Sequence, residues 1–565
     1  ASFRIDNHST LANAAWPWPP GISIPTVPVP PDSPAAFHLL AAAYHPPHLL
    51  PAFQSSAASP QLPNQADDTF LAQQAKELGF SSSEINAAIT KFSKTVDDPW
   101  QKGLAAIYEG RYPEAADLIR KSIDAAPSEI DRYTSLSYAE YMQGHYAAAE
   151  TALRKVLAVH PDDPMLLTNL GTILTVEGKN GEAETDLKRA ISLNETRADL
   201  TATAQSRSTL AFLYFQEGKY SLSEEQMQKA LELDKKADDP VAYGTDYLYL
   251  AGLFTLQGRF AESGTMARNA LNAHQTVFGG ESPALVMDLF LLSLAALQQG
   301  KLSEAEESDQ HALKILRDSG QAGSMAEANL LAGLGNVYNT QHRSKEALTQ
   351  FNGALQIVDK LQKALDDPLG PDARFLRSAR GYILSGIGNT YYLVDYNAPA
   401  AEPAYEQALS LLDASSPSDT FLVATVSQTL ADIYVSEGKS AQAEPLYRNA
   451  LQIFTQRAPD SLQIALVMTG LASVEYESPP KTKEAEELLS RSIEIKEKLF
   501  GKNSPALGRE QRILARVYCS AGKCQQAEPI IRQELADDVA KLGENSAMAP
   551  LDLGDLGYFY PLRRS

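Results

Sequence analysis

A small set of residues recurring in fixed order constrains this chain more than any other feature. The stretch at 166–194, LLTNLGTILTVEGKNGEAETDLKRAISLN, carries Leu170, Gly171, Leu174, Gly178, Ala183, Leu187 and Ala190. STLAFLYFQEGKYSLSEEQMQKALEL repeats the order with Leu210, Ala211, Tyr214, Gly218, Tyr220 and Ala230. LADIYVSEGKSAQAEPLYRNALQIF repeats it with Leu430, Ala431, Tyr434, Gly438, Ala443, Tyr447 and Ala450. Further copies turn at Gly110, Gly144, Gly258, Gly300 and Gly522, and one turns at His342 without a glycine. Two more, around Gly388 and Leu471, carry one extra residue in the turn. The count is about eleven units, and repeated units of this length stack on their neighbours to bury a continuous core. At 565 residues the chain is in any case too long for one compact core.

Each unit reads as two amphipathic helices, with small residues where they touch and a glycine that ends the first. This resembles the tetratricopeptide repeat. Early units recur every 34 residues, from Gly110 to Gly144 to Gly178. Later ones recur roughly every 40–43 and have longer second helices. VFGGESPALV and LFGKNSPALG fill the joints between long units and, with AEPLYRNALQI, look like the long repeats of kinesin light chains. A serine stands where that joint usually has histidine. The resemblance implies an all-α solenoid of about eleven helical hairpins wound as a right-handed superhelix, over residues 98–546.

The flanks differ from the array. DDTFLAQQAKELGFSSSEINAAITKFSK, within 68–97, reads as a helical hairpin that stops at Gly79 and restarts with a capping box of Ser81 and Glu84. It is expected to cap the first repeat. Residues 368–381 lengthen the unit before Gly388, and 547–565 form a C-terminal capping segment that breaks at Pro561. Residues 1–67 form an apolar arm: at 14–34 it holds Trp16, Trp18 and eight prolines against one charge. Proline excludes both a helix and a central strand there.

Composition excludes several functions. The formal net charge of −21 argues against nucleic acid or an anionic membrane surface as partner. No apolar run has the length of a membrane span. H-E-x-x-H, G-x-S-x-G and the phosphate-binding glycine loop are all missing, so no catalytic, cofactor or metal residue is assigned and no enzyme is expected. Four of the nine histidines, His8, His38, His45 and His48, lie in the arm and read as surface polar residues. The acidic pairs Glu224–Glu225 and Glu486–Glu487 read as solvated faces. Cys519 and Cys524, the only cysteines, are either small apolar fillers or a disulfide across a tight turn. The chain begins at Ala1 rather than Met. With a disulfide, this sets an extracellular or periplasmic location as the expectation and a cytoplasmic one as the alternative. Asn7 and Asn194 match the N-glycosylation pattern.

By the same resemblance, positions 2, 5, 9, 12 and 13 of each unit face a concave groove. Across the six central units these thirty positions include no charged residue, where a chain of 21% charge would supply about six. Phe212, Phe215, Leu248, Leu256, Phe290, Leu294 and Leu297 form an expected apolar floor, followed by Asn336, Asn339, Asn389 and Tyr392. Such a lining suits an extended, uncharged peptide rather than a carboxylate or a nucleic acid, both of which call for Lys and Arg. The arm is such a peptide: Ile22, Ile24, Val27 and Val29 alternate with small residues or proline behind the two tryptophans. Residues 11–34, at ~3.1 Å each, reach about 70 Å. The expected partner is therefore a second copy of the chain, joined head to tail into a filament. The alternative is an adaptor that takes an extended apolar peptide of another protein.

Overall fold

The computed structural model describes residues 98–533, apart from 109–110, 126–128, 365–370, 413–419, 458–460, 476–480, 503 and 531. The arm, the capping hairpin expected at 68–97 and the segment at 547–565 lie outside the described residues. Every regular element among the described residues is helical. The helices pair in order: Pro99–Tyr108 with Tyr112–Ala125, Ile130–Tyr141 with Tyr146–Leu157, Pro164–Val176 with Asn180–Thr196, and Leu200–Gln216 with Tyr220–Ala237. Then come Pro240–Leu256 with Phe260–Phe278, Val286–Gln298 with Leu302–Asp318, and Met325–Thr340 with Ser344–Lys363. Pro371–Asn389 with Ala398–Leu411, Thr420–Ser436 with Ser440–Arg457, and Leu462–Glu475 with Thr482–Phe500 complete ten hairpins. An eleventh opens with Gly508–Ser520 and turns at Gly522 into helix at Cys524. The expected all-α architecture of repeated helical hairpins is thus observed, with ten hairpins and the start of an eleventh among the described residues.

The chain forms two compact units. Of the described residues, those in 98–341 and 352–373 belong to the first, and those in 342–351 and 374–533 belong to the second.

Local chemistry sets the ends of the helices. Asp163, Asp199 and Asp239 cap first helices, each accepting backbone N–H bonds one turn in, and Pro164 and Pro240 take the first helical position. Among the described residues the glycines that turn the hairpins adopt the left-handed conformation, as at Gly178 with φ 74°. The next N–H then reaches back to the helix: Lys179 N donates to Leu174 O at 2.8 Å. Lys219, Arg259, Lys301, Lys439 and Lys523 repeat that bond.

Small residues do sit where the helices touch. A Cβ on Gly171 would lie 2.6 Å from Leu187 Cγ, and one on Gly388 would lie 2.8 Å from the Tyr405 ring. Only glycine lets these side chains approach so closely.

The extra residue near Gly388 is absorbed differently from the sequence expectation. Pro371–Asn389 runs on into a π-helical segment, Thr390–Val394, where Asp395 N donates to Thr390 O at 3.1 Å. One residue is thereby inserted inside the helix and the turn keeps its length. Tyr396, at φ 52°, takes the left-handed place that glycine holds elsewhere. The second insertion, after Leu471, falls outside the described residues.

Candidate functional site: the first helices and the joints between hairpins

The uncharged residues of the first helices lie deeper than a solvent-open groove would place them. Phe212, Phe215, Leu248, Phe290, Leu294 and Leu297 are 2–9% exposed, and Asn336 and Asn339 are 6% exposed. Phe215 packs edge-on to Tyr249 at 6.4 Å and tilts over Tyr220 at 5.6 Å, so its ring belongs to the packing between hairpins. The Leu256 side chain lies outside the described residues. In the second unit Asn389 and Tyr392 are half-buried, and Asn389 Oδ1 accepts the Tyr405 hydroxyl at 2.7 Å. The arm residues Trp16, Trp18, Ile22, Ile24, Val27 and Val29 lie outside the described residues.

A second constellation, absent from the sequence reading, sits in the joints. At several joints the residue sixteen after a turn residue faces the residue twelve before the next one. In the first unit these pairs are Asn194 with Ser206, Asp234 with Asp246, and His274 with Asp288, and Leu316 and Leu330 hold the same two register positions at the next joint; all eight are buried. Asn194 Nδ2 donates to Ser206 Oγ at 3.2 Å and to Ala202 O at 3.0 Å. His274 Nδ1 lies 2.8 Å from Asp288 Oδ2. In the second unit Lys496 Nζ lies 2.7 Å from Glu510 Oε1, again twelve residues before a turn glycine. Hydroxyls on the preceding first helix complete the network: Thr168 with Ser206 at 2.8 Å, Ser208 to Asp246 at 3.3 Å, and Thr469 to Glu510 at 2.9 Å. Thr168 and Ser208, which hold position 5 of their units, a position expected to face the groove, therefore act as buried partners in the joints.

This geometry corrects the reading of Asn194 as a glycan acceptor. Asn194 is 2% exposed and lies mid-joint, and its amide nitrogen donates two hydrogen bonds. Asn7 lies outside the described residues. Of the acidic pairs, Glu225 and Glu487 are exposed as expected, whereas Glu224 and Glu486 are half-buried and partnered across hairpins, with Arg259 and Lys523 respectively, each at 2.7 Å. Ion pairs at the surface such as these contribute little stability.

Cys519 and Cys524 form a disulfide across the last turn, with Cα atoms 4.2 Å apart. Cys519 ends the first helix and Cys524 begins the second, so the bond bridges the Gly522 turn. It favours an oxidising compartment without fixing one. Among the described residues no group of three or more His, Cys, Asp or Glu is placed to hold a metal, and no helix is long and apolar enough to cross a membrane.

Paired helices, left-handed turns and small contact residues define a helical-repeat scaffold, a class that works by binding other proteins. Family models of the tetratricopeptide repeat match residues 130–160, 162–236 and 245–318, so this part of the chain carries tetratricopeptide repeats. Among solved structures, BtubC (BKLC) from P. vanneervenii shares 17% identity over 45% of this chain and 95% of its own, with a TM-score of 0.34. Yeast Tom70 shares 14% over 84% of this chain and 96% of its own, with a TM-score of 0.35. The quorum sensor NprR from B. thuringiensis shares 14% over 66% and 97%, with a TM-score of 0.42. No curated protein sequence matches.

Proposed function

We propose that the protein is a non-enzymatic scaffold that assembles with copies of itself. Residues 11–34 of one copy would lie extended along the first helices of the next, over the segment from Phe212 to Leu297. The observation that carries this reading is complementarity within one acidic chain: thirty uncharged lining positions and an arm whose residues 14–34 carry one charge, at a net charge of −21. Each large apolar side chain buried is worth roughly 1.5–3 kcal/mol. Two tryptophans and four aliphatics give about 10 kcal/mol gross, of which ordering takes half or more. Insertion into the next copy is head to tail, and without ring closure it propagates into a filament. An assembly of this kind, with its disulfide, suits an extracellular or periplasmic setting.

The deep burial of Phe212, Phe290 and Leu294 requires a peptide to enter between side chains rather than rest on an open floor. Its tryptophans would then be the anchors. Analytical ultracentrifugation of the full-length protein against Trp16→Asp with Trp18→Asp tests this. The wild type should assemble with rising concentration and the double variant should stay monomeric. Equal assembly of both assigns the lining to the alternative, an apolar peptide of another protein.

A further inference from the structure

The joint between the fourth and fifth hairpins holds two buried carboxyl groups side by side and no cation. We propose that Asp234 and Asp246 share a single proton that closes this joint, so that the joint tightens in acid and loosens in base. Asp234 stands near the end of Tyr220–Ala237, Asp246 lies within Pro240–Leu256, and they are 3% and 2% exposed. Their side chains are hydrogen-bonding neighbours. Two carboxylates can bond to one another only through a proton.

The surrounding elements supply no counter-charge. From Leu200–Gln216, Ser208 Oγ donates to Asp246 Oδ1 at 3.3 Å, while Asp246 Oδ2 finds no donor. Arg207 beside it is held by Glu195 and by Gln226. Lys235, next to Asp234, reaches instead over the Tyr247 ring at 5.0 Å. Asp239 acts on both carboxyls, but it is negative, and its Oδ1 caps Pro240–Leu256 through the Val241 and Ala242 N–H groups. From Phe260–Phe278, His274 faces Asp288 and the Val241 backbone.

Burial pushes the Asp234 carboxyl up to about 7, and burial beside the Asp234 charge pushes Asp246 well above the usual carboxylate range. The sign follows. Folded-state affinity for the proton exceeds that of the unfolded chain, where a carboxyl titrates near 3.8. The stabilisation is therefore complete below that value and is lost as pH rises through the raised range in which the pair gives up its proton. Phe212 and Phe215 sit on the helix that supplies Ser208, and Leu248 sits on the helix of Asp246. A loosened joint moves these lining residues against each other. That consequence for peptide binding rests on the proposed role of the lining; the proton-closed joint does not.

Hydrogen exchange on the full-length protein decides it, with protection corrected for the intrinsic pH dependence of the chemistry. Between about pH 5.5 and about pH 8.5, amides of Tyr220–Ala237 and Pro240–Leu256 should lose protection by about tenfold or more. Those around Leu316 and Leu330, an apolar joint at the same register, should change far less. Asp246→Asn supplies a donor at every pH, so its joint should stay protected throughout. Asp234→Asn supplies it from the other side and carries the same expectation. His274→Gln should leave the pH response of this joint in place, separating it from the His274–Asp288 joint. The proposal is overturned if the wild-type joint shows equal protection at both pH values, or if both Asn variants keep the wild-type response. Loss of helical structure in both Asn variants at every pH also overturns it, because an amide then fails to replace the shared proton.

Discussion

The Asp234–Asp246 joint and the Lys496–Glu510 joint occupy the same place in two hairpin pairs and differ in what neutralises the carboxylate. In the second unit an ammonium does so: Lys496 Nζ meets Glu510 Oε1 at 2.7 Å and also donates to Ala506 O at 3.2 Å. In the first unit a second carboxylate stands where the ammonium would be. The repeat scaffold fixes where the two side chains meet, and the residue types at that place decide how the joint responds to its surroundings. An ion pair persists over a wide pH range, whereas a carboxyl pair holds only while it is protonated. Leu316 and Leu330 give the third solution, an apolar joint with nothing to titrate.

Removing one partner should have very unequal consequences in the two charged joints, and this is the strongest test of the comparison. Lys496→Met leaves Glu510, which is 0% exposed, as a lone buried carboxylate. Breaking a buried pair in this way costs about 3–5 kcal/mol. Urea denaturation followed by circular dichroism should show that loss, and adding Glu510→Leu should recover most of it. Asp234→Leu removes one of two like charges, so at pH 8 it should cost much less than Lys496→Met. Equal losses from both variants would mean that the register, not the charge, governs these joints.

The apolar joint sharpens the comparison at a slightly smaller expected effect. Leu330→Ala deletes a side chain that is 1% exposed and should cost about 2–5 kcal/mol, in proportion to the cavity left. The loss measured at pH 6 and at pH 8.5 should agree, because Leu316 and Leu330 carry no proton. A marked pH dependence in this variant would show that titration elsewhere in the array reaches every joint.

The fold was legible in the sequence because its determinants are local. Gly178 at its left-handed turn, Gly171 beneath Leu187 and the repeated Leu-small pair each act within one hairpin, and each recurs often enough to be counted. The joints were less legible. Asp246 lies in YGTDYLYL and Asp288 in LVMDLFLL, charges set into otherwise apolar helices twelve residues before a turn glycine. That was the available signal. Its meaning depends on Asp234 and His274, which come from the preceding hairpin, and a repeat pattern does not specify such pairings. The lining was partly legible for a related reason. Periodicity marks which face of a first helix is apolar, but it does not separate residues that face a groove from those, like Phe215 against Tyr249, that fill the space between hairpins. The extra residue near Gly388 was visible in the spacing, while its absorption as a π-helical segment depends on backbone hydrogen bonds.

Reducing the Cys519–Cys524 bond bears on the end of the array rather than on its joints. The closed loop spans a sequence separation of 5, so the bond should contribute about 2 kcal/mol or less, chiefly by restricting the unfolded chain. The last hairpin has a neighbour on one side within the described array, so the effect should stay local. Hydrogen exchange after mild reduction should show lost protection around the Gly522 turn and unchanged protection at Lys496 and Glu510. Loss spreading to that ion pair would show that the last hairpin and its joint open as one unit.

The smallest expected effect concerns the turn that departs from the glycine rule. Tyr396 holds a left-handed backbone at φ 52° with its side chain exposed, the residue being 84% accessible, so little packing offsets the strain. A non-glycine residue in this conformation costs roughly 1–2 kcal/mol. Tyr396→Gly removes that cost but adds freedom to the unfolded chain, which returns about 0.4–1 kcal/mol of it. The net expectation is a gain of about 0.5–1 kcal/mol, with the backbone bond from Asn397 N to Tyr391 O retained. His342→Gly, at φ 56° in a turn without an inserted residue, should gain by a similar amount. Chemical denaturation of the two variants therefore separates turn strain from the π-helical insertion. Equal gains place the strain in the left-handed residue alone. A loss in Tyr396→Gly with a gain in His342→Gly would mean that the tyrosine supports the π-helical segment, and that the inserted residue and the residue at the turn are a coupled pair.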